Sequence, residues 1–156
     1  MQTHLMTTDG SRTESAASAA SVTDSLVSSL SAPAGLAATV AAHWTATEAR
    51  DWAALAATLA EDLVYELPQT RERIRGREAF LRFYREYPGD WHVWVDRLVA
   101  DGDQAVTWVH ARVGAEEMHA VTFFTGDAQG RITAISDFWP EPYEPPAGRE
   151  HLTERY

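Results

Sequence analysis

Asp137 heads an Asp-Phe-Trp run near the end of this 156-residue chain and is flanked by Ile135, Phe138 and Trp139. A carboxylate held among apolar side chains has a raised pKa and can act as a base or an acid. His110 and His119 could relay or stabilise the proton it moves, and Tyr65 could donate a hydrogen bond to a substrate oxygen. Each histidine also has a plainer reading, as a core residue bonded to a neighbour or as part of a face turned to solvent or a second copy. Two histidines and a carboxylate are a possible metal set. No His-x-Asp pair accompanies them, and no metal is assigned.

The residue types that are missing narrow the chemistry further. All 13 basic residues are Arg, and the chain contains no Lys, Cys or Asn. A lysine Schiff base, a P-loop, a thiolate nucleophile, a disulfide and a cysteine zinc site are therefore excluded, as is N-glycosylation. Proton transfer falls to Asp, Glu, His and Tyr, and no cofactor is implied. The formal charge of -10 opposes binding to nucleic acid or an anionic membrane, both of which need a cationic surface. No apolar run reaches the roughly 20 residues that span a bilayer. The partners expected are a hydrophobic small molecule and a second copy of the chain.

These side chains need elements to position them. Leu36, Val40 and Trp44 are spaced for one helix face, and Trp52, Leu55, Ala56 and Leu59 for a second. Residues 62–68 read as a short strand stopped by Pro68, and Gly76 introduces a third helix over 77–87 with Phe80, Leu81 and Tyr84 on one side. Beyond it, 91–100, 104–113, 117–125 and 131–139 read as an antiparallel meander with turns at Gly102, Gly114 and 126–130. The fold class is α+β, a curved antiparallel sheet with three N-terminal helices on one face and a pocket between the layers. His43 and Trp44 on the first helix, with Trp94, Trp108, Phe123 and Trp139 on the strands, are candidate pocket walls suited to a flat ligand. The Arg71–Arg77 run is interleaved with Glu72 and followed by Glu78, and reads as a solvated, salt-bridged surface.

Strand parity assigns faces. A two-residue turn at Gly114-Ala115, with positive φ at the glycine, sets Val113 opposite Glu116 and hence His110 opposite His119 and Val106 opposite Phe123. A five-residue loop at 126–130 then aligns His119 with Asp137, giving a row of His110, His119 and Asp137 across three strands. A four-residue loop turns Asp137 to the other face.

Outside this block, residues 1–33 are dominated by Ser, Thr and Ala and read as a disordered leader, with no basic start or compact apolar stretch of a secretory signal. Cytoplasmic residence is the corresponding expectation. Residues 34–140 form the domain. A proline-rich tail follows at 141–156 and is expected to wrap along the surface or reach a partner chain.

The order of elements resembles the NTF2-like superfamily, and within it the SnoaL-like polyketide cyclases with their ketosteroid-isomerase and limonene-epoxide-hydrolase relatives. The likeness covers roughly residues 36–140. It rests on 51–62 running into Val64-Tyr-Glu-Leu-Pro68, on Gly76-Arg-Glu-Ala-Phe80, and on Ile135-Ser-Asp-Phe-Trp-Pro140. The resemblance implies a cone-shaped sheet around a pocket and makes Asp137 similar to the pocket carboxylate of the cyclases and epoxide hydrolases. The epoxide hydrolases' Arg-x-Asp pair and first-strand Asn have no counterpart: the middle strand reads Trp108-Val-His-Ala-Arg112, and Asn is absent. Two functions follow as expectations. One is an acid–base enzyme closest to a polyketide cyclase or isomerase; the other is a non-catalytic ligand-binding or dimerisation module on the same scaffold.

Overall fold

The computed structural model describes residues 35–156. The leader expected at 1–33 lies outside the described residues. Helix α1 (Leu36–Ala49) buries Leu36, Val40, His43, Trp44 and Thr47 on one face. It ends where Arg50 adopts a left-handed φ of 56° and its amide meets the carbonyls of Ala46 and Thr47. Asp51 then caps the short helix α2 (Trp52–Ala57), accepting the Ala54 amide at 3.0 Å. Strand β1 (Leu59–Leu67) starts earlier than expected because Leu59, Ala60 and Leu63 are all buried. Helix α3 (Arg77–Glu86) buries Phe80 and Leu81, and strands β3 (Trp91–Asp101), β4 (Gln104–Val113), β5 (Glu116–Gly126) and β6 (Ile132–Phe138) form the meander.

Two features correct the sequence reading. The arginine-rich run contains strand β2 (Glu72–Arg75), which pairs antiparallel with β1, placing Arg73 opposite Glu66. The run is nonetheless charged and salt-bridged, with Arg73 2.5 Å from Glu66. The sheet is also not wholly antiparallel. Its order is β2-β1-β6-β5-β4-β3, and β6 returns beside β1 in the parallel sense. A mixed, curved, unclosed sheet with three helices results, consistent with the expected α+β cone.

Glycine turns set the register of β3 to β5. Gly114 has φ 61° while Ala115 does not share the positive φ, as the expected turn requires. His110 accordingly pairs with His119, Trp108 with Val121 and Val106 with Phe123. The connection from β5 to β6 behaves differently. Gly126 pairs with Ile132 around a five-residue loop, but the next pair is Thr125 with Ala134, so Thr133 is an extra residue on β6. Without that bulge the ladder would bring Asp137 opposite Val121, on the side of His119. With it, Asp137 pairs with Thr122 and points to the opposite face. The expected row of His110, His119 and Asp137 is therefore broken.

The α1 end guards the open edge of the sheet. Glu48 accepts the Val93 amide at 2.9 Å and meets His92 Nδ1 at 2.7 Å, while Arg50 donates to the Trp91 carbonyl and stacks over the Trp91 ring at 3.6 Å. These contacts occupy backbone groups of β3 that another strand could otherwise pair with.

Deep in the core, His43 is 1% exposed, lies against the rings of Trp44, Phe80 and Phe124, and has one polar neighbour, Thr58 Oγ1 at 3.4 Å. Burial lowers its pKa from 6.5 to about 3. The unfolded chain therefore binds a proton below pH 6.5 that the fold refuses, and stability falls as pH drops through that range. Between pH 7 and 4.5 the wild-type chain should lose roughly 2 to 3 kcal/mol relative to His43→Leu, at about 1.4 kcal/mol per pH unit. Urea unfolding at both pH values measures this; parallel losses in the two proteins would show that His43 takes up its proton without penalty.

Candidate active site

The helices and the inner sheet face enclose a cavity of about 660 Å³. Trp44 from α1, Tyr65 from β1, Tyr84 from α3, Trp91 from β3, and Asp137 and Trp139 from the last strand and its continuation contribute to its wall. The exposed residues Gln69, Thr70, Glu72 and Glu141 also line it, and so mark its opening.

Asp137 is 1% exposed and accepts three hydrogen bonds. Tyr65 Oη and Trp139 Nε1 each donate to Oδ2 at 2.9 Å, and Thr122 Oγ1 donates to Oδ1 at 2.6 Å. Burial pushes the Asp137 pKa up, and the three donors reduce the rise without cancelling it. Oδ2 is filled by its two donors; Oδ1 keeps one lone pair for a proton. The neighbouring phenols are held protonated. Tyr65 is raised by burial and then by Tyr84 and Asp137, and Tyr84 is raised by burial and then by Asp137.

Packing and backbone contacts aim these groups. Phe80 meets the Tyr65 ring at 5.1 Å and the Tyr84 ring at 4.9 Å, fixing both phenols from beneath. The Gln69 amide brackets the Trp139 backbone, donating to its carbonyl at 2.8 Å and accepting its N–H. That clamp holds the indole where it meets Asp137.

Of the residues expected at the site, Asp137, Tyr65, Trp44 and Trp139 meet around the cavity. The others lie elsewhere. His43 is in the core behind Trp44 and does not line the cavity. His110 and His119 stack at 5.0 Å on the opposite sheet face, beside Trp94 and Trp108. Trp94, Trp108 and Phe123 are 44%, 45% and 50% exposed there. Thr122, Tyr84 and Gln69 were not anticipated. Thr122 follows from parity once the bulge is known. Tyr84 shares the helix spacing of Phe80 and Leu81, and that spacing signals packing rather than chemistry. Among the described residues no group of three His, Asp or Glu side chains is arranged to hold a metal ion, and no helix is long and apolar enough to cross a membrane.

The SnoaL-like domain profile matches residues 40–135. The chain belongs to the SnoaL-like domain family. A solved structure from Kribbella flavida DSM 17836, provisionally assigned as a ketosteroid isomerase, is 48% identical, with a TM-score of 0.76 over 78% of this chain and 89% of that one. An LEH-like epoxide hydrolase of M. tuberculosis is 27% identical, with a TM-score of 0.57 over 67% and 82% of the two chains. An NTF-2 like protein of unknown function from Burkholderia xenovorans LB400, 22% identical with a TM-score of 0.67 over 78% and 94%, shares the fold. No curated protein matches this SnoaL-like chain.

The raised pKa of Asp137 makes its ionisation a cost to the fold. Its contribution to stability is full below the unfolded value and is lost as pH rises through the folded one. Asn can keep the contacts from Tyr65 and Trp139 and offer its amide to the Thr122 oxygen. Asp137→Asn should therefore unfold at higher temperature than wild type at pH 7.5, with the gap closing toward pH 4. Calorimetry across that range measures the effect; a variant less stable at every pH would show that the ionised carboxylate stabilises the SnoaL-like domain.

Proposed function

We propose that this SnoaL-like protein is a cofactor-independent enzyme of general acid–base type, closest to an isomerase or polyketide cyclase. The observation that carries the reading is a buried Asp137 carboxylate in the wall of an aromatic cavity, with one oxygen filled by Tyr65 and Trp139 and the other retaining a lone pair. Such a group suits removal of a proton from carbon next to a carbonyl. Asp137 takes the proton, and the negative charge that develops on the substrate oxygen is met by a phenol donor, Tyr84. The apolar walls exclude water and strengthen both interactions. The 48% identical relative provisionally assigned as a ketosteroid isomerase supports proton transfer of this kind. A non-catalytic module would not require an unexposed carboxylate beside a cavity of this size.

The outer sheet face suits association with a second copy of the chain. Trp94, Trp108, Phe123 and Phe138 are exposed there around the stacked His110 and His119, a surface that suits pairing of two copies. Light scattering at tens of micromolar should give twice the chain mass, and Trp108→Glu should halve it. A wild-type monomer removes this pairing.

For catalysis, the probe is exchange of the carbon-bound hydrogens of 2-tetralone in D2O, followed by proton NMR. The wild-type chain should accelerate exchange, faster as Asp137 ionises with rising pH. Asp137→Asn should lower the rate by about 10² or more, and Tyr84→Phe by a smaller factor. An Asn variant that exchanges at the wild-type rate, or a wild type that does not accelerate exchange, defeats the proposal.

A further inference from the structure

The cavity wall is one-sided in charge. Asp137 lies inside it, and Glu72 and Glu141 stand at its opening, whereas among the described residues no Arg lines it. Among the described residues that line it, His92 alone is able to become cationic, and both its nitrogens face carboxylates: Nδ1 is 2.7 Å from Glu48 and Nε2 is 3.4 Å from Asp90. The Arg50 guanidinium, against the lining residue Trp91, is committed to other contacts. It stacks on the Trp91 ring at 3.6 Å, lies 3.5 Å from Glu48, and bonds to the Glu48 and Trp91 carbonyls. Arg73, on the strand that carries Glu72, is paired with Glu66.

An anion entering this space would meet carboxylates and, among the described lining residues, no free cation to replace its lost hydration, and in an apolar wall that desolvation is costly. The aromatic side chains of Trp44, Tyr84 and Trp139 in the lining suit neutral rings and attract rather than repel cations. From this we infer that the cavity selects substrate by charge, admitting uncharged or cationic ring compounds and excluding carboxylates and phosphates, with Glu72 and Glu141 as the selecting residues at the opening. The inference rests on the cavity being the small-molecule site proposed above. It goes beyond that reading by fixing the charge class of what enters.

Three matched probes test it by calorimetric titration of the full chain at pH 7.5: 2-naphthylmethanol, 2-naphthylmethylammonium and 2-naphthoate. The alcohol and the ammonium ion should bind, with the carboxylate at least tenfold weaker. The Glu72→Gln, Glu141→Gln double variant should narrow that gap by threefold or more, as should 0.5 M salt, because the charges at the opening are solvent-accessible and screened. Val113→Trp, and Met118→Trp as a second blocking variant, should abolish binding of the alcohol by filling the cavity. Naphthoate binding within threefold of the alcohol overturns the inference, as does a charge gap that the double variant leaves unchanged. It is equally overturned if none of the probes binds, or if both blocking variants still bind the alcohol. Charge-selective binding in a chain that fails to accelerate hydrogen exchange would leave this inference standing and remove only the catalytic reading.

Discussion

Burying the Asp137 carboxylate is the constraint around which this domain is arranged. A lone carboxylate withdrawn from water is costly, and the cost is contained only if donors surround it. Here the donors come from three places in the chain: Tyr65 on β1, Thr122 on β5 and Trp139 just beyond β6. Each must be held in turn. Phe80 of α3 fixes the Tyr65 ring, the sheet register fixes Thr122, and Gln69 fixes the backbone of Trp139. The parallel pairing of β1 with β6 is what brings Tyr65 and Asp137 onto neighbouring strands. Helices, sheet order and strand end thus converge on one side chain.

A single extra residue decides which way that side chain points. Side chains alternate along a strand, so the bulge at Thr133 exchanges the faces of everything beyond it on β6. The loop before the bulge is closed by Asp127, whose carboxylate accepts the amides of Gln129 and Arg131 and the Arg131 guanidinium. The Thr133 hydroxyl donates to the Thr125 carbonyl across the bulge, at 3.2 Å. The result separates two sets of polar groups. Asp137 faces the helices, and the His110–His119 pair faces away from them.

This geometry also explains what could be read from the residues and what could not. Helix spacing at Leu36, Val40 and Trp44 and the glycine turn after Val113 are local signals, and both gave the right elements and the right facing of His110 on His119. Tyr65 lines the cavity as the family pattern favours, and Trp44 and Trp139 line it as large aromatics suited to a pocket wall. The bulge was not legible, because nothing in Ile132-Thr-Ala-Ile135 distinguishes a regular strand from one with a residue to spare. Trp94, Trp108 and Phe123 lie on the exposed face rather than in the cavity wall, and residue type alone does not separate the two, because large aromatics suit a cavity and an interface equally well. Strand β2 was hidden by charge, since an edge strand with both faces partly solvated carries no apolar alternation.

The lack of a cation beside it among the described residues completes the account of why the Asp137 pKa is raised. An Arg beside a buried carboxylate holds its pKa low and makes it inert as a proton acceptor near neutral pH. The opposing influences on Asp137 are hydrogen bonds from uncharged donors alone, so desolvation prevails and the pKa rises. His43, behind the Trp44 wall, could have supplied a positive charge, but its own burial keeps it neutral down to about pH 3. The two buried groups are thus suppressed in their charged forms by the same apolar packing, with opposite consequences. Neutral His43 is silent, whereas Asp137 is brought toward the range in which a carboxyl group can take up a proton and release it again.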